Sequence, residues 1–137
     1  MIHAVWGTKS RELFLTSEIK QQVIKHIREN AKTKNIYIDS IDGYTEHLHC
    51  LFGLPLEMSI SKAMQLIKGE SAFWINKQKL TKSKFEWADE YFAISVSESV
   101  IPKVRAYIQS QEKHHQKKTF KEEYEEFIGK YKSKLLD

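Results

Sequence analysis

Two short stretches of this 137-residue chain carry side chains that could do chemistry together. The first is His47-Leu48-His49. Side chains alternate faces along a strand. On a strand, Leu48, Cys50 and Phe52 therefore point to a core, while His47 and His49 point together to the opposite face. Their Cα atoms then lie roughly 7 Å apart, a separation from which two imidazole nitrogens can converge on one metal ion. The plain alternative is a pair of polar residues on a partly exposed sheet face.

The second stretch runs from Tyr107 to His115, Tyr-Ile-Gln-Ser-Gln-Glu-Lys-His-His. Read as a helix, Val100, Ile101, Val104 and Ile108 form an apolar stripe. At helical spacing the stripe continues into Gln111 and His115, with Tyr107 and His114 at its edge. A core stripe that turns polar halfway along costs burial, and is expected where a helix emerges over a site. Tyr107 and Gln111 stand one turn apart on the same face. The alternative here is a surface tyrosine with a solvated polar end. His114 and His115 receive no assigned role.

Joined, the two stretches give two imidazoles and one amide oxygen, an incomplete coordination shell. Mixed nitrogen and oxygen donors suit Mg²⁺ or Mn²⁺ better than a structural zinc, which takes four protein ligands in a closed site. The open positions can take phosphodiester oxygens, where a metal polarises phosphorus and stabilises the charge of the transition state. Tyr107 beside them can be a covalent nucleophile. A phosphotyrosine ester conserves the bond energy, so a DNA 3′-OH can later displace it.

The elements that must position these groups follow from periodicity. Strands are predicted over residues 2–8, 35–44, 46–54 and 91–97. Asp42-Gly43 reads as the hairpin turn signal. One helix begins at Thr16 or Ser17 with Ile19, Val23 and Ile27 on its stripe and Lys20 off it. A second opens at Ser59 with Ile60, Met64, Ile67 and Trp74 on one side, and Phe73 and Trp74 are expected in the core. A third, capped by Ser99 with Pro102 in its first turn, is expected to run to about Lys117. A last helix over about 121–135 carries Tyr124, Phe127, Ile128 and Tyr131. The order β-α-β-β-α-β predicts an α+β, ferredoxin-like (split βαβ) antiparallel sheet, with helices on one face plus C-terminal helices carrying the tyrosine. The other sheet face is then available for a ligand. With only 5 Gly and 2 Pro and no repeat, residues 1–137 read as one domain.

Composition narrows the function classes. Hydrophobic residues at 41% and charged residues at 29% exclude a disordered chain. No apolar run approaches the ~18–20 residues of a bilayer helix, so no membrane role is expected. The N-terminal stretch lacks the pattern of a signal peptide. Cys50, the single cysteine, excludes an intrachain disulfide and a multi-cysteine zinc site. The expected compartment is the cytoplasm. The net charge of +4, from 22 Lys+Arg against 18 Asp+Glu, permits a polyanionic partner without requiring one. Lys62, Lys68, Lys77, Lys79, Lys82 and Lys84 cluster around the middle helix and the loop after it. Lys62, Lys68 and Lys77 are the candidate DNA contacts; the alternative is a solvated face.

The sequence resembles the single-tyrosine HUH transposases of small insertion sequences, a family that also includes repeat-associated tyrosine transposases. His47-Leu48-His49 fits the His-hydrophobic-His motif. The opening strand with Thr8-Lys9, Ile67-Lys68-Gly69 with Trp74-Ile75-Asn76, Phe85-Glu86-Trp87, Tyr91–Ser97, Tyr107-Ile108 with Gln111 and His114-His115, and Lys117-Lys118-Thr119-Phe120 are similar in order and spacing. Glu46 stands where the family often has Asp, and Glu90 and Phe92 stand where glycines are common.

The resemblance implies a DNA transposase that nicks and rejoins single-stranded DNA through a 5′-phosphotyrosine on Tyr107. It implies His47, His49 and Gln111 as ligands to Mg²⁺ or Mn²⁺. It also implies hairpin or palindromic ends as substrate, nucleoid DNA as the place of action, and a homodimer in which one subunit's tyrosine helix can complete the other's site. The competing readings are a catalytically inactive hairpin binder and a non-enzymatic DNA- or RNA-binding module. The latter expects aromatics at neighbouring positions on the open sheet face, where this chain carries His47 and His49.

Overall fold

The computed structural model describes residues 1–111 together with residues 122, 125 and 126. His114, His115, the continuation of the tyrosine helix to Lys117, and Tyr124, Phe127, Ile128 and Tyr131 lie outside the described residues. The elements are β1 (Ile2–Thr8), α1 (Ser17–Thr33), β2 (Tyr37–Tyr44), β3 (His47–Gly53), α2 (Ile60–Lys77), β4 (Trp87–Ser95) and α3 (Ile101–Gln109). Short 3₁₀ turns at Lys9–Arg11 and Glu98–Val100 join β1 to α1 and β4 to α3. The strands form one sheet in the order β2-β3-β1-β4, and every neighbouring pair is antiparallel. This is the ferredoxin-like split βαβ arrangement.

The two long helices start where a hydroxyl can accept from an orphan N–H of the first turn. Thr16 accepts from Ile19 N at 3.4 Å and Ser59 from Lys62 N at 3.0 Å. Both helices lay their apolar stripe on one sheet face. Val23, Ile27 and Ala31 from α1 and Ala63, Met64, Ile67 and Ile75 from α2 pack on Ile2, Ala4, Trp6, Leu48, Cys50 and Phe52. Burial drives the indole of Trp87 into this core, where its Nε1 donates to Ser71 Oγ at 2.9 Å.

That anchor explains why β4 begins at Trp87 and ends at Ser95, several residues ahead of the predicted 91–97. Phe73 departs from the reading: it is 66% exposed, because it falls between the buried positions Ser71 and Ile75 on the outward side of α2. Trp74 is half-buried and stacks on His26, with ring centroids 4.1 Å apart. Lys20, predicted off the stripe, is buried, and its Nζ bonds the Gly43 carbonyl at 3.1 Å and Asp42 Oδ1 at 3.2 Å.

Two local readings change. Asp42-Gly43 is not the hairpin turn: both residues belong to β2, where Gly43 pairs with Leu48 and Tyr44 with His47, so Thr45-Glu46 makes the turn. Gly43 answers a close approach instead, since a Cβ there would run into the His47 carbonyl and the Leu48 Cα. Ser99 is not a helix cap; the 3₁₀ turn leads directly into α3, which has Pro102 in its first turn.

The second sheet face is not open over β3. Leu51, Val96 and Ile108 are buried together there, with Met1, Val100, Ile101, Val104 and Tyr107 around them, so α3 lies across β2 and β3. The physical reason is the apolar stripe of α3, which needs a partner surface, and Leu51 and Val96 supply it.

Gly43→Ala is expected to lower the unfolding free energy by about 1–3 kcal/mol or more, because the clash is with backbone. A denaturant titration checks it, and an unchanged midpoint would show that the hairpin opens at no cost.

Candidate active site

Strand alternation sets the site. In β3, Leu48, Cys50 and Phe52 enter the main core, so His47, His49 and Leu51 face α3. The histidines are not partly exposed: His47 is 0% and His49 1% accessible. Antiparallel pairing places Gly7 opposite His47 and Val5 opposite His49.

Buried imidazoles need partners for their ring nitrogens. His47 Nδ1 donates to Glu46 Oε1 at 2.8 Å, and its Nε2 lies 3.2 Å from Gln111 Oε1. The Gln111 amide is oriented by its own helix, since its Nε2 donates to the Tyr107 carbonyl at 3.3 Å. His49 Nδ1 meets His3 Nε2 at 3.0 Å. The His49 ring lies 5.2 Å from the His47 ring and 5.5 Å from the Tyr107 ring, both nearly edge-to-face. One chain therefore brings together all four residues singled out for chemistry: Tyr107, His47, His49 and Gln111.

The donor set fits a hard divalent cation. His47 Nδ1 faces a carboxylate and so carries a proton. A neutral ring then presents a lone pair at Nε2 toward the lone pairs of the Gln111 oxygen. Such a pair at 3.2 Å needs a proton or a cation between them. Adjacent ligands of an octahedral Mg²⁺ or Mn²⁺, each at about 2.1 Å, stand about 3 Å apart, close to what is found. Among the described residues no group of three or more His, Cys, Asp or Glu is arranged to hold a metal. A third protein ligand here would come from the amide of Gln111, which is fully buried.

The tyrosine helix is fastened by charge as well as by apolar packing. Arg105 Nε and Nη2 bond Asp39 Oδ1 at 2.9 Å and Oδ2 at 2.7 Å, a bidentate pair. Asp39 is the extra residue of a bulge in β2, where the register against β3 shifts between Ile38 and Ser40. A bulge re-aims a side chain, and this one turns Asp39 toward α3. The Arg105 guanidinium, ahead of all else, holds the Asp39 carboxyl below the usual carboxylate range, against the upward push of its burial.

The three candidate lysines differ in their surroundings. Lys68 is a strut: its Nζ bonds the Ala88 carbonyl at 2.7 Å and the Asp89 carbonyl at 3.2 Å. Burial lowers its pKa. Lys62 and Lys77 are exposed at opposite ends of α2, about 22 Å apart by helix rise. A cleft of about 230 Å³ along β1 and β4, lined by Trp6, Thr8, Arg11 and Tyr91 among others, includes none of the site residues.

Sequence reasoning missed His3, Asp39 and Arg105, and it noted Glu46 only as a departure from a motif. For His3 a signal existed, since alternation in β1 separates it from the core residues Ile2 and Ala4. Its partner became readable only once the register of β1 on β3 was known.

A split-βαβ sheet with a tyrosine-bearing helix across a buried His-x-His pair is the architecture of a small transposase domain. Residues 1–111 match the model of the family described as Transposase IS200 like, and the chain belongs to that family. It is 27% identical over 115 residues to the transposase of insertion sequence IS200 from Salmonella typhimurium, covering 80% of this chain and 74% of that protein. It is 24% identical over 115 residues to the ISDra2 transposase TnpA of Deinococcus radiodurans, covering 80% and 81%. Among solved structures, one described as a transposase from Deinococcus radiodurans superposes with a TM-score of 0.65 at 23% identity, over 80% of this chain and 88% of that one. A repeat-associated tyrosine transposase bound to a REP hairpin superposes with a TM-score of 0.63 at 18% identity, over 83% and 67%. These structures share the fold. No helix among the described residues is long and apolar enough to cross a membrane.

Arg105→Ala is expected to raise amide exchange across residues 101–109 while leaving α1 and α2 unchanged. The pH dependence has a definite sign. Asp39 is depressed when folded, so its contribution is complete above the ordinary carboxylate value near ~3.9 and fades as pH falls through its lower folded value. The protection of α3 amides, with the intrinsic pH dependence of amide exchange divided out, should therefore be flat from about pH 5 to 8 in the native chain and fall only in stronger acid. Equal exchange in both proteins would show that the ion pair does not hold the helix.

Proposed function

We infer that this transposase nicks and rejoins single-stranded DNA at hairpin-marked sites through a covalent tyrosine intermediate. The observation that carries the reading is the meeting of Tyr107 with His47, His49 and Gln111 beneath one helix. His47 Nε2, His49 and the Gln111 oxygen would hold Mg²⁺ or Mn²⁺, which, when bound, draws charge from the scissile phosphate. The other steps belong to the chain. Glu46 keeps the His47 proton on Nδ1 and so keeps Nε2 available as a ligand. The Tyr107 carbonyl holds the Gln111 amide with its oxygen toward His47.

The Tyr107 phenolic oxygen attacks phosphorus and the bond to the 3′ oxygen breaks. The phenol proton is lost, the departing 3′ oxygen gains one, and the 5′ end remains as a phosphotyrosine. Attack by a DNA 3′-OH on that ester reverses the exchange and frees the tyrosine. Because His47, His49 and Gln111 are buried, what covers them, α3 included, must move aside to admit a phosphodiester. The hairpin substrate is supported by the relative that was solved bound to a REP hairpin. A homodimer is the working unit in the same reading. Lys62 and Lys77, exposed on α2, are free to meet phosphates, with binding that weakens as salt rises; Lys68 is engaged by backbone carbonyls.

Incubation of the full chain with single-stranded hairpin DNA and Mn²⁺ should yield a denaturation-resistant protein–DNA adduct. EDTA should abolish it, and Tyr107→Phe should abolish it while keeping hairpin binding. An adduct of undiminished yield in Tyr107→Phe overturns the nucleophile assignment; hairpin binding with no adduct in the native chain favours the inactive binder.

A further inference from the structure

Among the described residues, His3 is the one buried imidazole that the proposed chemistry leaves without a task. It is 0% accessible, and it stands on the middle of a four-stranded sheet. Register explains its place. Leu51 lies opposite His3 and His49 lies opposite Val5, so His3 and His49 are diagonal neighbours on one face. Their rings are 5.3 Å apart and tilted by 31°, with His3 Nε2 3.0 Å from His49 Nδ1. Two imidazole nitrogens at that distance share one proton, and the direction of that hydrogen bond fixes both tautomers.

The direction follows from what His49 must do. Its Nδ1 edge is taken up by His3, so coordination goes through the opposite nitrogen, Nε2. A ligating nitrogen must be bare, and a neutral ring has one N–H. That proton therefore sits on His49 Nδ1 and is donated to His3 Nε2, and His3 carries its own proton on Nδ1. With the bond reversed, His49 would present an N–H to the cation. His47 obeys the same logic through a different partner, since its Nδ1–H is held by the Glu46 carboxylate. One ligand is thus supported by an anion and the other by a second imidazole.

We propose that His3 is the positioning residue of the site: it accepts from His49 Nδ1–H and so locks His49 in the tautomer that presents Nε2 to a divalent cation. This rests on the metal-ligand reading of His49. Outer partners of metal-bound histidines typically change metal affinity by about 10–100-fold when removed. His3→Phe keeps an aromatic volume and removes both nitrogens. His3→Gln restores an oxygen that can accept from Nδ1–H.

The test is histidine side-chain ¹⁵N NMR on the metal-free full chain above pH ~8, where ordinary imidazoles are neutral, paired with Mn²⁺ titration by electron paramagnetic resonance. The native chain should show His49 with its proton on Nδ1. His3→Phe should shift His49 toward the Nε2–H tautomer and weaken Mn²⁺ binding about 10–100-fold. His3→Gln should keep the native tautomer and bind Mn²⁺ within a few-fold of native. A native His49 protonated on Nε2 overturns the proposal, as does a folded His3→Phe with native tautomer and affinity. If His3→Phe fails to fold, the native tautomer and the His3→Gln titration still decide. The tautomer is read without metal or DNA. An Nδ1–H His49 in a chain that forms no Tyr107 adduct would uphold the His3 contact and overturn the catalytic reading.

Discussion

The structure depends on a strand that is covered on both faces. β3 sends Leu48, Cys50 and Phe52 into the main core and His47, His49 and Leu51 beneath α3. A strand with one wet face could leave its polar side chains to water. Covering that face removes the water, so every buried imidazole nitrogen must be answered from inside the protein or exact a desolvation cost. The answers fix the site: Glu46 and Gln111 for His47, and His3 for His49. Burial of two histidines thus becomes orientation of two histidines.

α3 makes that covering and contributes to what it covers. Its apolar side packs through Val104 and Ile108 on Leu51, and its next turns supply Tyr107 and Gln111. Among the described residues the helix spans Ile101 to Gln109 and lacks a side-chain cap at its start. A stretch of that length gains little from its own hydrogen bonds. Its position rests on tertiary contacts: the apolar packing of Ile108 with Leu51 and Val96, and the bulge that aims Asp39 at Arg105. Residues on a helix held in this way can be precise when docked and still be released as a unit.

Basic residues illustrate how chemistry of one type divides by surroundings. Lys20 and Lys68 bind carbonyl oxygens and join elements, whereas Lys62 and Lys77 are solvated at the two ends of α2. The same ammonium group is a brace where backbone carbonyls converge and a phosphate contact only where solvent reaches it. Charge counted along the chain does not separate the two roles.

The sequence by itself determined the periodic features. Alternation in β3 and the stripe on α3 are local and strong, so the βαββαβ order, the opposite facing of His47 and Leu48, and the joint facing of Tyr107 and Gln111 were all readable. Other local signals misled. Gly43 resembles a turn glycine, but cross-strand backbone contact is what demands it. Ser99 resembles a cap, but a 3₁₀ turn precedes α3. Only the tertiary structure decided the register of β1 on β3, which joins His3 to His49 across 46 positions of chain. It likewise decided that a bulge turns Asp39 toward Arg105, and that the second sheet face closes under α3. Periodicity reports which way a side chain points. Partners depend on strand order and register, which the whole chain sets when it buries both faces of one sheet.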